Sequence, residues 1–492
     1  RERYFLDVGQ SAVFKGCAEL DVKSGCLWSM GARITPDSPT VKLSTKGMGV
    51  AGLELLSIAP EGGKASEAPT SRCEYVLNSS QEGTYDICRL FSASAPPVHL
   101  FADSWCKVAE MTREDAVSSE RPPVILVLGP AHSGKSTFVQ FLINNLLQVV
   151  PEVGCLDTDV GQPEFTTPGL VSINLVKDPI LGTPETYTTQ EQAYFMGAIE
   201  PGVNPQLYLS SISQLNEWWQ EHHCSRKDAP PLVVNTCGWV TGMGLDLLTQ
   251  IVTVLQPSHV FQLSEQPDSA QLIGEGVLEG GLQQRPACVP PGKVVCIAAV
   301  QLCRQNSELC EKQLGMWRDA VKEFGEESAK GDWWDQFSIP RKNPARQRAD
   351  KFLSWGMHCI GGPPESPQVH ELPYLRRKIR GLMPWACCLD DVDVVFLHGE
   401  VPQTELHGAL RGMLVGLATK HARCHENGAD EASSSTGATI PISCIGIGAV
   451  VHVDSTKGRC LLLTDLRHET LAEVNVIQVG MIEAPSWLGQ SC

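Results

Sequence analysis

The sequence predicts an α/β fold in which a central domain with a parallel sheet is flanked by N-terminal and C-terminal β domains. From Val124 onward, short apolar segments alternate with helical ones, which is typical of a parallel sheet. On both sides of that region, apolar and polar residues alternate, which indicates antiparallel strands. A chain of 492 residues has room for about three domains, and we place them at residues 1–115, 120–365 and 366–492.

The N-terminal region has the pattern of an antiparallel sheet. Residues 5–57 contain FKGCAELDVKSGCLWSMGARI, in which apolar and polar positions alternate between glycines. The segment VHLFADSW at 98–105 predicts one more strand of this unit. The charged segment EMTREDAVSSERPP at 110–123 predicts a linker to the central domain.

Short apolar runs define the strands expected in the other two domains. In the central domain they are VILVL (124–128), GCLDT (154–158), LVVNT (232–236), HVFQL (259–263) and VVCIAAV (294–300). In the C-terminal domain they are VDVVFLHG, ISCIGIGAVVHVD and GRCLLLTDL. The polar residues 425–441, between the first two of these C-terminal strands, predict a flexible loop.

Composition narrows the possible partners and compartment. The net charge of −17 argues against broad, unspecific affinity for nucleic acid, although it permits a local basic groove. The 19 cysteines include no C-x-x-C pair, which favours reduced thiols in the cytosol or nucleus. No run approaches the roughly 18 apolar residues of a membrane span, so we expect no membrane partner.

The segment GPAHSGKST follows the strand VILVL and precedes a helical segment. It fits G-x-x-x-x-G-K-[ST], the P-loop of nucleoside triphosphatases, whose backbone N–H groups and helix N-terminus bind phosphate. Lys135 is expected to reach the β- and γ-phosphates, and the Ser136 hydroxyl to bind Mg²⁺. The predicted nucleotide-binding residues are Gly129, Pro130, Ala131, His132, Ser133, Gly134, Lys135, Ser136 and Thr137.

Two acids follow the next strand, in CLDTDVGQPEFTTPG. Alternation would place Asp157 and Asp159 on the same side of an extended strand. A carboxylate at this position can hold Mg²⁺, and a carboxylate near the γ-phosphate can accept a proton from an attacking hydroxyl. The alternative is a turn in which Asp, Gly and Pro have only a structural role.

Two further segments are ambiguous on physical grounds alone. NTCGWV places Trp239 at the carboxyl end of a strand, where ligands bind in open α/β sheets, but a tryptophan there can equally pack a helix onto the sheet. Arginines of RKNPARQRADK (341–351) could close over transferring phosphates or form a solvated face. For RRKIR (376–380) we favour a solvated face.

The three segments GPAHSGKST, DTDVGQPEFTTPG and NTCGWV, in this order, resemble those of the polynucleotide 5′-hydroxyl kinases. The segments TPGLVSINLVKDPILG, QPSHVFQL and PLVVNTCGWVTGMGLDLL are most similar to the nucleolar protein 9-type branch of that family. A sister branch, the kinase of the pre-mRNA cleavage complex, shares NTCGWV. The resemblance implies a β domain, a P-loop kinase domain and a second β domain.

The resemblance also implies roles for individual residues. Lys135 and Ser136 would bind ATP and Mg²⁺, with Asp157 as a supporting, Mg²⁺-binding acid. Asp159 would activate the RNA 5′-hydroxyl, and Gln162 would contact substrate or the Mg²⁺ shell. A clasp motif, T-x-G-W, corresponds to Thr236, Gly238 and Trp239. The family's lid pattern, R-x-x-x-R, is matched only by the spacing of Lys342 and Arg346, with Arg348 nearby.

The nucleolar branch implies a place in the cell. It predicts phosphorylation of RNA 5′ ends during ribosomal RNA processing at the second internal transcribed spacer, in the nucleolus, beside a Las1-type endonuclease subunit. Three alternatives stay open: an RNA kinase of the sister branch in pre-mRNA or tRNA processing, an ATP-binding scaffold without turnover, and a metabolite kinase or switch NTPase. The flanking β domains and the T-x-G-W motif argue against the last of these.

Overall fold

The structure is a computed structural model that describes thirteen segments of the chain. They are residues 2–44, 53–58, 72–78, 85–90, 103–119, 121–182, 188–226, 228–264, 294–298, 344–361, 372–379, 381–420 and 441–488. The predicted lid residue Lys342 and the predicted loop residues 425–440 lie outside these segments.

The N-terminal domain is an antiparallel sheet organised around one long strand. The 14-residue strand β2 pairs along its length with β5, β6, β7 and β8, so it joins both parts of the sheet. Its inward side chains, such as Phe14 and Leu20, are fully buried. The strands are β1 Glu2–Asp7, β2 Ser11–Ser24, β3 Leu27–Ser29, β4 Ala32–Ile34, β5 Val41–Ser44, β6 Leu53–Ser57, β7 Arg72–Asn78 and β8 Tyr85–Leu90.

The sequence interpretation of residues 103–118 was wrong. Residues 98–102 are outside the described segments, and Asp103–Ser118 forms helix α1, which is neither a strand nor a linker. Trp105, Val108, Ala109 and Thr112 are buried, at the i, i+3, i+4, i+7 spacing of one helix face. Trp105 packs against a phenylalanine of the next helix with 4.7 Å between ring centroids. Lys107, Glu110 and Glu114 are exposed, and such charges within the segment obscured the helical period in the sequence.

The central sheet is mixed, with a parallel core that matches the predicted strands. Its order is β12-β11-β10-β13-β9-β14-β15, in which β10, β13, β9, β14 and β15 are parallel and β11 and β12 are antiparallel additions at one edge. The strands are β9 Val124–Leu128, β10 Val153–Asp157, β11 Leu170–Val176, β12 Thr188–Phe195, β13 Leu232–Asn235, β14 His259–Ser264 and β15 Val294–Ala298. The antiparallel pair was missed.

Three helices complete the central domain. They are α2 Lys135–Leu146, α3 Pro205–Trp219 and α4 Met243–Leu255. Phe138, Phe141 and Leu142 of α2 are buried in the core shared with α1 and the N-terminal sheet, as the apolar stripe of this helix predicts. Because β10, β13 and β9 are adjacent and parallel, their carboxyl ends meet at one edge of the sheet.

The C-terminal domain is a second sheet, of order β16-β20-β19-β18-β21-β17. Its predicted strands are confirmed, and β17 is parallel to β21 while the other pairs are antiparallel. The elements are β16 Trp385–Cys388, β17 Asp393–Phe396, α7 Leu406–Leu410, β18 Met413–Ala418, β19 Cys444–Asp454, β20 Arg459–Thr464, α8 His468–Leu471 and β21 Val476–Glu483.

Two helices join the central and C-terminal domains, α5 Pro344–Cys359 and α6 Leu372–Ile379. Phe352 and Trp355 of α5 belong to a buried cluster that contains residues of both domains, and the Trp355 indole N–H donates to Asp465 at 3.2 Å. Arg376 and Arg377 of α6 are exposed. The predicted domain boundaries remain predictions. Within the described segments, no helix has the length and apolar character needed to cross a membrane.

Candidate active site at the carboxyl edge of the central sheet

The segment GPAHSGKST forms a tight loop between β9 and α2. Gly129 and Gly134 have φ of 152° and 90°, which side chains with a Cβ rarely adopt. A Cβ at Gly129 would lie 2.7 Å from Ser133 Oγ and 2.8 Å from a backbone oxygen of Leu263. Gly134 is the N-cap of α2, so the free N–H groups of the first helical turn point toward the loop.

Ser133 and Lys135 are buried inside this loop. Ser133 Oγ has no hydrogen-bond partner among the described residues, which is unusual for a buried hydroxyl. Lys135 Nζ donates to the Pro130 carbonyl at 2.8 Å. Burial lowers the pKa of Lys135, and the negative charge of Asp159 opposes that shift. A phosphate would supply the missing acceptor for Ser133 and a counter-charge for Lys135.

Asp157 ends β10 and is fully buried. Its Oδ1 accepts from Asn235 Nδ2 at 3.0 Å and from the Asp159 N–H at 3.2 Å, and its Oδ2 accepts from the Glu164 N–H at 2.6 Å. Burial, reinforced by the nearby charge of Asp159, raises the pKa of Asp157 to about 7. The hydrogen bonds of Asp157 therefore hold the turn in place, and the turn also carries an ionisable group.

Asp159 is only partly buried, and its two oxygens differ. Oδ1 accepts from the N–H groups of Gly161 and Gln162, both at 3.0 Å. Oδ2 has no protein partner among the described residues. Burial raises the pKa of Asp159, while the two backbone N–H donors and the charge of Lys135 oppose that rise. A carboxylate held through one oxygen, with the other available, has the arrangement of a hydrogen-bond acceptor for substrate.

The segment NTCGWV lies directly against the P-loop. The Thr236 hydroxyl donates to the Val127 carbonyl at 2.7 Å, which links β13 to β9 beside the loop. A Cβ at Gly238 would lie 2.7 Å from both the Cα and the N of Ala131. The absence of a side chain at Gly238 therefore allows the two loops to touch.

Trp239 is 38% exposed, although its ring packs on backbone. A Cβ at Gly202 would lie 3.0 Å from the ring edge, and a Cβ at Gly244 would lie 2.4 Å from the ring's Cγ. The two glycines thus form a flat support that leaves one part of the indole accessible. Because the ring is neither fully buried nor fully exposed, the arrangement is compatible with both a ligand-binding role and a packing role for Trp239.

Sequence reasoning did not single out three residues that contribute to this site. Asn235 bonds Asp157, and the Glu164 side chain accepts from Gln140 Nε2 of α2 at 3.0 Å. Lys351 Nζ of α5 donates to the Glu164 carbonyl. Asn235 is the first residue of the segment NTCGWV. The long-range contacts of Glu164 and Lys351, by contrast, leave no recognisable pattern in a single sequence.

The predicted lid residues are placed only in part. Arg346 is exposed on the first turns of α5, and Arg348 is half-buried in a cleft beside the site. For Gln162, the backbone N–H donates to Asp159, and its side chain has no hydrogen-bond partner among the described residues, so its contact with substrate remains a prediction. No cluster of three or more His, Cys, Asp or Glu residues at metal-binding positions occurs in the described segments.

Comparison with known families extends the resemblance to both domains. The family model for the mRNA cleavage and polyadenylation factor CLP1 P-loop matches residues 129–276, and the model for the NOL9-like C-terminal domain matches residues 381–485. A chain of the solved wild-type Clp1p–Pcf11p complex aligns over 98% of each chain with a TM-score of 0.59 and 13% identity, which shows a shared fold.

Two curated relatives carry the name polynucleotide 5′-hydroxyl-kinase NOL9. The protein from Arabidopsis thaliana is 27% identical over 393 residues, covering 78% of this chain and 92% of its own length. The protein from Mus musculus is 35% identical over 407 residues, covering 78% of this chain and 52% of its own length. The chain therefore spans most of the plant relative but about half the length of the vertebrate ones. With both of its characteristic domains matched, the chain belongs to the family of polynucleotide 5′-hydroxyl kinases.

Proposed function

We propose that this chain transfers the γ-phosphoryl group of ATP to the 5′-hydroxyl end of RNA. The observation that carries the proposal is the difference between the two acids. Asp157 is buried with both oxygens bonded, whereas Asp159 is partly exposed and keeps Oδ2 available near Lys135. A phosphate-binding lysine and an available carboxylate at one sheet edge are what a hydroxyl-directed kinase requires.

In this mechanism Lys135 and the loop N–H groups hold the β- and γ-phosphates. Asp159 orients the 5′-hydroxyl through Oδ2 and accepts its proton as the oxygen attacks phosphorus. The bonds from Gly161 and Gln162 fix Oδ1, so the carboxylate does not have to reorient during the reaction. Most of the acceleration then comes from positioning and from charge stabilisation at the γ-phosphate.

The residues present fit a magnesium ion. Ser136 at the start of α2 has a half-buried hydroxyl with no protein partner among the described residues, and Asp157 provides a carboxylate at the adjacent strand end. Oxygen ligands of these types are those that Mg²⁺ prefers, usually with several waters retained. Since both Asp157 oxygens already accept protein hydrogen bonds, Asp157 fits a contact made through water. The ion would neutralise charge on the β- and γ-phosphate oxygens.

We further propose that the chain acts in ribosomal RNA processing at the second internal transcribed spacer, in the nucleolus, with a Las1-type endonuclease subunit. The match to the NOL9-like C-terminal domain model and the names of the relatives support this branch. The match to the CLP1 P-loop model favours the sister branch as the second candidate. An ATP-binding scaffold without turnover is the third, because the solved Clp1p chain is part of a complex with Pcf11p.

The test supplies Mg²⁺ and γ-labelled ATP with a 5′-hydroxyl RNA and follows label at the 5′ end. We expect transfer by the parent chain and loss of transfer in Lys135→Ala, because the loop then lacks its charge at the γ-phosphate. The same assay with a DNA acceptor of the same sequence measures the preference for ribose over deoxyribose in the acceptor strand. ATP binding without transfer to either acceptor, also after addition of a Las1-type partner, would favour the scaffold.

A further inference from the structure

A cleft of about 340 Å³ lies beside the site, where the central domain, α5 and the C-terminal domain meet. The central domain contributes Ile199 and Val203, α5 contributes Arg348 and Phe352, and β21 contributes Met481. This volume is at the small end of ligand sites, which is enough for about one nucleotide. Of the site residues described above, only the predicted lid residue Arg348 lines it.

The walls of the cleft are apolar but exposed. Ile199, Val203 and Met481 are 36%, 43% and 64% exposed, although large apolar side chains are generally buried when a fold can cover them. Exposed apolar side chains around a concave surface indicate a binding site. An unstacked base can pack between apolar side chains, as flipped bases do in the pockets of base-modifying enzymes.

The lining of the cleft contains one basic and two acidic side chains. Arg348 is half-buried there and forms no ion pair with the other described residues, while Glu200 and Glu483 stand exposed on the rim. A guanidinium without a carboxylate partner is suited to a phosphate oxygen. Because the two carboxylates repel phosphates, Arg348 is the group in the lining that favours a phosphate.

The cleft borders the acceptor side of the active site through the segment that begins at Ile199. Gly161, whose N–H bonds Asp159, lies against the Ile199 carbonyl, because a Cβ at Gly161 would be 2.7 Å from that oxygen. At the other end, Gly202 supports the ring of Trp239. The segment between these two contacts therefore forms both the edge of the active site and the wall of the cleft.

We propose that this cleft binds the nucleotide that follows the acceptor nucleotide of single-stranded RNA. Arg348 contacts a phosphate of that strand, and the side chains of Ile199, Val203 and Met481 contact a base. The proposal rests on the proposed function, since it takes the RNA strand to start beside Asp159. It adds a subsite to which the C-terminal domain contributes directly.

The test measures binding of a 5′-hydroxyl hexaribonucleotide with a fluorophore at its 3′ end, by anisotropy and without ATP. Met481→Glu places a negative charge in the cleft, and Met383→Glu places one at a methionine that is 95% exposed elsewhere on the chain. We expect Met481→Glu to weaken binding about fivefold, a fraction of one base-stacking contact, and Met383→Glu to weaken it less than about twofold. Thermal unfolding of both variants monitors the fold.

A second variant identifies the phosphate contact. We expect Arg348→Gln to reduce the slope of log affinity against log salt by about 0.7, the value for one phosphate of a single strand. Equal affinities for Met481→Glu and Met383→Glu, or an unchanged slope in Arg348→Gln, would overturn the proposal. Weaker binding of a protein partner by Met481→Glu, with RNA binding unchanged, would also overturn it. Because this readout needs no catalysis, absence of phosphoryl transfer would count against the proposed function alone.

Discussion

At the scale of single residues, Asp157 and Asp159 are separated by one position but have different surroundings. Asp157 accepts three hydrogen bonds in a fully buried position, and its pKa is raised to about 7. Asp159 faces the site with one oxygen available. The alternating pattern of an extended strand predicted that both acids share a side, but only the turn that follows β10 distinguishes their roles.

The raised pKa of Asp157 has a consequence for stability. An acid whose pKa is higher in the folded state than its unfolded value of about 3.9 stabilises the fold when the pH is below about 3.9. This contribution to the free energy of unfolding is lost as the pH rises through about 7. Asparagine resembles the protonated acid. We therefore expect Asp157→Asn to gain stability relative to the parent between about pH 5 and pH 8, measured as the difference in thermal midpoints. A difference that stays constant over this range would contradict the raised pKa of the buried acid.

At the scale of elements, the contact between the P-loop and the segment NTCGWV depends on Gly238. A Cβ there would meet backbone atoms of Ala131 at 2.7 Å, and backbone cannot move aside as a flexible side chain can. We expect Gly238→Ala to weaken ATP binding about tenfold, a typical effect of overpacking, as measured by calorimetry. Gly408→Ala is the control, because a Cβ at Gly408 has no atom within 4 Å. Equal ATP affinity in both variants would show that the contact between Gly238 and the P-loop does not support nucleotide binding.

Helix α5 is connected to the acid-bearing turn by Lys351, which donates to the Glu164 carbonyl. We expect Lys351→Met to lower kcat/KM for RNA about fivefold with ATP affinity unchanged, because a half-exposed charged hydrogen bond contributes about 1 kcal/mol. Lys457→Met is a matched control, since its exposed pair with Asp454 spans 3.8 Å. If Lys351→Met behaved like this control in steady-state kinetics, α5 would have no positioning role.

Elements also differ in how far the sequence predicted them. The parallel strands were predicted because each is a short apolar run, and the P-loop because its glycines and lysine have fixed spacing. Helix α1 was missed because only Trp105, Val108, Ala109 and Thr112 carry its period within a charged segment. Strands β11 and β12 were missed because edge strands added antiparallel to a parallel core do not follow from strand–helix alternation.

At the scale of the whole molecule, the site is assembled from segments far apart in the chain. Asn235 reaches Asp157 across 78 positions, and Lys351 reaches Glu164 across 187. Such contacts depend on the topology of the sheet and on how α5 packs against the central domain, which no local sequence pattern reports. The net charge of −17 is compatible with an RNA substrate because only a strand end has to enter, and the neighbouring cleft offers one arginine that forms no ion pair with the other described residues.

The central claim is that Asp159 acts on the RNA 5′-hydroxyl, and single-turnover kinetics tests it most directly. With ATP saturating, the rate of γ-phosphoryl transfer to 5′-hydroxyl RNA is compared between the parent and Asp159→Asn, alongside ATP affinity for each. We predict a loss of about 10²- to 10⁴-fold in rate with ATP affinity nearly unchanged, because proton transfer is removed while the phosphate loop is intact. Transfer by Asp159→Asn at the parental rate would contradict the account.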